Sequence, residues 1–203
     1  MSAHEADKAL GKANFDEIYV QPDPREYFRR LGDLDYEVPQ HGKQVFRRVL
    51  DAHPSDRPTV IDLCCSYGVN GALLGCDLDL SDLYSRYTSP EVAAMTTAEL
   101  LEADRAFYSE RRRPDAPTIV GIDASEPAVK YALGAELLDA GVVEDLERNE
   151  PSATLSDLLN GADVFTVTGG IGYITERTVG RLLDATPPER RPWFVALCLR
   201  TVP

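Results

Sequence analysis

Thr59-Val60-Ile61-Asp62-Leu63-Cys64-Cys65-Ser66-Tyr67-Gly68-Val69-Asn70 decides the fold of this 203-residue chain. It opens on a β-branched apolar run, the pattern of a strand buried on both faces. Asp62 follows, then small residues, then Gly68 and a helical run from Asn70 to Leu74. A strand that ends in a tight small-residue turn and feeds a helix is the first half of a nucleotide-binding βαβ unit. Ligands of such sheets lie beyond the carboxyl ends of the strands, near the helix N-terminus. The expected class is α/β, with a Rossmann-like, doubly wound, mostly parallel sheet.

The turn itself narrows the ligand. A dinucleotide site spaces three glycines so that a pyrophosphate can approach the backbone. Here Gly68 is the one glycine of the bend, and the Gly-Lys-Ser/Thr ending of a phosphate-binding P-loop is absent. An uncharged bend after a carboxylate suits a phosphate-free nucleoside with a charged amino-acid end. The pattern Asp62-x-Cys64-x-Ser66-x-Gly68 resembles motif I of the class I S-adenosylmethionine-dependent methyltransferases, Asp-x-Gly-x-Gly-x-Gly, with Cys and Ser in place of two glycines. Those two side chains fit the bend if their φ stays negative.

The resemblance implies S-adenosylmethionine as cofactor, held by Asp62, Cys64, Ser66 and Gly68. The second strand is Ile119-Val120-Gly121-Ile122-Asp123, about 60 residues past Asp62 against roughly 20 in the compact pattern. A carboxylate at that tip, Asp123 with Ala124 beside it, can accept both ribose hydroxyls. Capping of the next helix is the other reading of Asp123. The resemblance places the adenine at Asp145 and Leu146, with Glu150 a weaker match; a plain solvated acidic loop explains them equally well. Thr168-Gly169-Gly170-Ile171-Gly172-Tyr173 closes the fourth strand with glycines that let backbone approach a ligand. The family keeps its reacting methyl group there, which makes Thr168, Gly169, Gly170 and Tyr173 active-site candidates.

Residues 1–57 read as an N-terminal helical cap and 58–203 as the core. Asp23 followed by Pro24 reads as an N-cap and first helical position. Tyr27, Phe28 and Leu31 form an apolar stripe, and Gly32 stops the helix. A second helix, over about residues 40–52, turns Val45, Phe46, Val49 and Leu50 inward. By the resemblance the cap walls the substrate pocket, with Tyr19, Tyr27 and Tyr173 as substrate-binding residues and Tyr36 and His41 nearby. Tyr27 and Phe28 can equally do no more than pack the cap onto the sheet. His41 reads as a surface residue, and neither it nor Tyr19 or Tyr173 is assigned as a general base.

Residues 76–114 form an insertion after the first core helix, a lid or an interaction surface, with helices over residues 80–87, 90–95 and 97–112. Thr96 with Glu99 is a capping box, and Arg111-Arg112-Arg113 suits a solvated helix end. Further on, a helix runs from Ser125 to Gly141, a strand covers residues 142–146, a helix 155–159, a strand 162–168, a helix 175–183 and a strand 193–199. Five strands result where the family has seven. The sheet lacks the last two, so its edge calls for a cover: a partner subunit, a second copy or the insertion.

The net charge of −13 repels nucleic acid and anionic membranes and favours a neutral or cationic small molecule or a protein partner. No apolar run reaches the ~20 residues of a membrane span, and the first residues lack the basic start and apolar stretch of a signal peptide. Cys64, Cys65, Cys76 and Cys198 show neither Cys-x-x-Cys nor histidine spacing. They read as small buried residues in a reducing, cytoplasmic compartment with no metal site, a redox or metal role being the alternative. The expected function is S-adenosylmethionine-dependent methyl transfer to a small molecule. The alternatives are another reaction on the same cofactor, a non-catalytic methyltransferase-like partner subunit, and a nicotinamide-dependent oxidoreductase, which the turn disfavours.

Overall fold

The computed structural model describes residues 16–197. In chain order the helices are α1 (Asp16–Tyr19), α2 (Arg25–Gly32), α3 (Val38–Ala52), α4 (Val69–Gly75), α5 (Leu80–Tyr87), α6 (Pro90–Ala93), α7 (Thr97–Ser109), α8 (Glu126–Gly134), α9 (Ala153–Leu159) and α10 (Glu176–Ala185). The strands are β1 (Thr59–Leu63), β2 (Thr118–Asp123), β3 (Ala140–Val143), β4 (Val164–Thr168) and β5 (Trp193–Leu197). They make one all-parallel sheet in the order β3-β2-β1-β4-β5, flanked by helices in a Rossmann-like arrangement. The chain steps outward from β1 to β3, then returns to place β4 on the other side of β1. The switch point therefore falls between β1 and β4, where such sheets open a crevice.

Strand alternation sorts the core into two faces. Ile61, Leu63, Val120, Ile122, Phe165 and Val167 pack with Leu155 and Leu159 of α9 and Leu182 of α10. Val60 and Ile119 pack the other way, against Phe46 of α3, Leu74 of α4 and Val129 and Ala132 of α8. The cap and the insertion share a third cluster, in which Phe28 and Leu31 of α2 meet Leu80, Leu83 and Tyr87 of α5 and Leu100 and Tyr108 of α7.

That cluster has a polar centre. Asp104, fully buried, accepts hydrogen bonds from Arg86 Nε (2.6 Å), Tyr87 Oη (2.5 Å) and Tyr131 Oη (2.6 Å). Arg25 grips Asp23 through two nitrogens and donates to the Val92 and Met95 carbonyls. A charge buried with this many donors holds one arrangement, because any slip strands it without partners. The insertion is thus tied to the cap and to α8. Edge strand β5 keeps Trp193 and Phe194 about 40 % exposed.

Several boundaries differ from the expected ones. Helix α2 starts after Pro24, and Asp23 bonds the Arg25 amide and guanidinium instead of capping further in. Helix α8 ends at Gly134, so Leu137 and Leu138 are buried in a connection. Strand β3 lies at Ala140–Val143, which leaves residues 144–146 in the loop beyond its tip. Val45 is exposed, because the buried line of α3 runs through Pro39, Gly42, Lys43 and Phe46. The capping box at Thr96 and Glu99 and the Ser125 cap form as the sequence indicates. Cys198 and the expected end of β5 lie outside the described residues, and no described helix is long and apolar enough to cross a membrane.

Candidate functional site

The turn after β1 takes an unusual path. Cys64, Ser66 and Gly68 all have left-handed backbone, with φ of 56°, 50° and 77°. The negative φ expected for Cys64 and Ser66 is not what the structure has. Alternate positions adopt the conformation natural to glycine although two of them carry side chains, a strain of order 1–3 kcal/mol per residue. The path is fixed from outside: Gly68, the N-cap of α4, sits so close to Ala132 and Leu137 that a Cβ there would lie 3.0 Å from both. The Cys64 side chain takes up space that Gly170 leaves open, since a Cβ on Gly170 would lie 2.7 Å from Cys64 Sγ.

Asp123 ends β2 facing this turn. Its Oδ2 accepts from the Ser66 amide (2.9 Å) and its Oδ1 from the Ser125 amide (2.8 Å). Burial pushes its carboxyl above the ordinary value, and these amide donors oppose the rise. Each carboxylate oxygen has a second lone pair, so the group retains acceptor capacity toward the cleft.

An open cleft of about 560 Å³ lies beyond the carboxyl ends of the strands, a volume in the range of small-molecule sites. Of the residues singled out from the sequence, Cys64, Ser66, Asp123, Ala124, Asp145, Leu146, Thr168, Gly169, Gly170, Tyr19, Tyr27 and Tyr173 line it. Ser66 is 6 % exposed, and its Oγ is a buried donor with no hydrogen-bond partner. Asp145 accepts from the Glu147 amide and lies 3.5 Å from Arg148. Gly169 has a φ of 69°, and Tyr36 Oη occupies the place where a Cβ on Gly169 would stand.

Asp62 and Gly68 do not line the cleft. Asp62 points to the α3 face with Thr166, fully buried, where its Oδ1 accepts from Asn70 Nδ2 (2.7 Å) and Thr166 Oγ1 (2.7 Å). Asn70 Nδ2 in turn donates to Thr168 Oγ1 at 3.0 Å, so Asp62 braces the floor of the cleft through one intermediary. His41 is exposed on α3 outside the cleft, and Glu150 pairs with Arg181 at 2.8 Å.

Three wall contacts were not legible in the sequence. Glu147 accepts from the Thr175 amide (2.7 Å) and Thr178 Oγ1 (2.7 Å), which joins the loop after β3 to the start of α10. Burial raises its pKa, but these donors outweigh burial and hold the carboxyl below its usual range. Tyr67 Oη shares its proton between the Ile18 and Gln21 carbonyls, both at 2.9 Å, and Ser125 Oγ donates to the Tyr19 carbonyl. These bonds strap the end of α1 against the side of the cleft that Tyr19 lines. No sequence pattern marks a threonine-to-glutamate latch or a tyrosine reaching 49 residues away.

Burial pushes the Asp62 carboxyl up to about 7, while Asn70 and Thr166 oppose the rise and Asp123 adds to it. The folded protein then binds a proton here that the unfolded chain, at the ordinary 3.8, has released. Asp62 therefore costs stability as pH rises through that window, fully so above about 7. Relative to the natural protein, Asp62→Asn is expected to gain about 1.4 kcal/mol or more between pH 4 and 8, at least one unit's worth of pKa difference. Urea unfolding across that range checks it, and parallel stability curves for the two proteins would refute it.

No protein-family model and no curated protein matches this chain. Among the described residues, no three His, Cys, Asp or Glu side chains cluster to hold a metal ion.

Proposed function

We propose that the protein binds S-adenosylmethionine in this cleft and transfers its methyl group to a small molecule. The observation that carries the reading is the turn after β1. Its left-handed residues at 64, 66 and 68 stand at the three positions where the resembled motif has glycine, the residue that supplies positive φ freely, and the turn faces the Asp123 carboxylate. The residues present fit the cofactor. Asp123 supplies a carboxylate for the ribose hydroxyls, and Leu146 and Asp145 flank the position expected for the adenine. The unpartnered Ser66 hydroxyl and the close-approach backbone at Gly169 suit the amino-acid end.

When bound, the cofactor supplies an electrophilic methyl group on a positively charged sulfur. The chain's residues then have to orient the acceptor and exclude water, and proximity alone lowers such a barrier substantially. The strap formed by α1, held by Tyr67 and Ser125, walls one side of the cleft and serves that exclusion.

Calorimetric titration with S-adenosylhomocysteine, with NAD run in parallel, tests the reading. S-adenosylhomocysteine is expected to bind at micromolar concentration and NAD at least a hundredfold more weakly. Preference for NAD, or binding of neither, would remove the methyltransferase assignment.

A further inference from the structure

The same cleft indicates the chemistry of the acceptor. We propose that the acceptor is a small tertiary amine, converted to a quaternary ammonium product against a wall of tyrosine rings. This rests on the methyl-transfer reading above.

Charge is the first ground. Among the described lining residues, Asp123, Glu144, Asp145 and Glu147 face one basic side chain, Arg148, which lies 3.5 Å from Asp145. An acceptor bearing a carboxylate or phosphate is repelled from such a cleft, and a cation or its conjugate amine is drawn in. The chain's net charge of −13 acts in the same direction.

Aromatic lining is the second. Tyr19 on α1, Tyr36 between α2 and α3, and Tyr173 beyond β4 line the cleft from segments far apart in sequence. The Tyr19 ring meets Tyr27 edge-on at 5.9 Å. Burial, then the neighbouring Tyr173 phenol, pushes Tyr36 up to about 12, and burial raises Tyr19 further. Neutral phenol rings present negative π faces, and a quaternary ammonium is the ligand that aromatic faces hold best.

The third ground is the lack of a dedicated base. No His or Lys is among the described lining residues. Glu144 is taken up by Ser152, Glu147 by Thr175 and Thr178, and Asp123 by two backbone amides. Burial, with Asp123 and Asp62 nearby, pushes the Cys64 thiol up to about 12. Asp62 itself is sealed beneath the floor. A phenol, alcohol or protonated amine would have to give up a proton here to a carboxylate already engaged by hydrogen-bond donors, as Asp145 is by the Glu147 amide. A tertiary amine in its free-base form brings its lone pair ready. That pair forms the new C–N bond as the donor's C–S bond breaks and its electrons return to sulfur. The positive charge passes from sulfur to nitrogen, and no proton is released. A cleft of about 560 Å³ is in the range of small-molecule sites, which suits a nucleoside with a small amine beside it.

The test has two arms on the full-length protein. In the first, S-adenosylmethionine is supplied with equal N,N-dimethylethanolamine, a simple phenol and a simple carboxylic acid, and products are identified by mass spectrometry. The amine is expected to be methylated at least tenfold faster than either competitor. In the second, tetramethylammonium chloride is titrated into the protein without cofactor. Binding at millimolar concentration is expected, weakened fivefold or more by Tyr36→Leu and retained by Tyr36→Phe, which keeps the ring and controls for folding. Preferential methylation of the phenol or acid overturns the proposal. So does tetramethylammonium binding that is absent or indifferent to Tyr36→Leu. If S-adenosylhomocysteine binds and either of these follows, the acceptor class alone falls. If it does not bind, the methyl-transfer reading falls first and takes this one with it.

Discussion

Asp123→Ala is expected to weaken S-adenosylhomocysteine binding by about tenfold to a hundredfold, roughly 1.4–3 kcal/mol. The carboxylate stands at the tip of β2, partly buried, with one lone pair of each oxygen already filled by the Ser66 and Ser125 amides. The remaining pairs are the acceptors that ribose hydroxyls would use. Hydrogen bonds to a charged acceptor in such a place are the stronger kind, and their loss leaves the ligand's hydroxyls without water or partner. The same substitution also orphans two backbone amides, so a fall in stability of about 1–3 kcal/mol is expected beside the loss of affinity. The two effects separate by titrating below the unfolding transition. Unchanged affinity in a folded variant would take Asp123 out of the site.

The second large effect is on the fold itself. Gly71 of α4 packs so closely on the connection after α8 that an added Cβ would overlap the Leu137 carbonyl oxygen. Backbone cannot swing aside as a flexible side chain can. Gly71→Ala gains helix propensity, worth about 1 kcal/mol, and loses more by forcing α4 away from the Leu137 connection. A net loss of about 3 kcal/mol or more is expected, or roughly 6–12 °C in the unfolding temperature of a chain this size. Moving α4 also moves Asn70, and with it the brace from Asp62 to Thr168 on the cleft floor. Affinity for S-adenosylhomocysteine should therefore fall together with stability. A thermal melt no lower than that of the natural protein would show that the contact relaxes freely.

The third expected result, the pH-dependent gain of Asp62→Asn, separates two roles that the sequence merges. A carboxylate at the fourth position of β1 reads as a ligand group because so many nucleotide sites have an acid near a strand end. Alternation puts it on the same face as Thr166, in register across the sheet, and there it is sealed under α3 and α4. Its place in the protein is to hold Asn70 and Thr166. Asp123 is at a true strand tip, with the chain turning away behind it, and so it reaches the cleft.

Local signals carried the rest of the architecture a long way. Apolar runs located β1, β2, β4 and β5, while β3 lies two residues before its expected start, and the Ser125 cap and the Thr96–Glu99 box marked helix starts, because those bonds form within four residues of chain. The order of elements, strand alternating with helix, implied a parallel sheet, since only a crossover can join parallel neighbours. The sequence alone also singled out most of the cleft wall, because turns at strand tips are the one place where Gly-rich and acidic residues gather between buried strands. Only the tertiary structure decided how the turn after β1 runs. Cys64 and Ser66 are held left-handed by the packing of Gly68 on Ala132 and Leu137, a contact between segments some 65 residues apart that overrides the local preference of both side chains. It decided as well that Glu147 lines the cleft and that Tyr67 and Ser125 hold α1 beside it. Their positions come from hydrogen bonds and contacts across long stretches of chain, which no local pattern encodes.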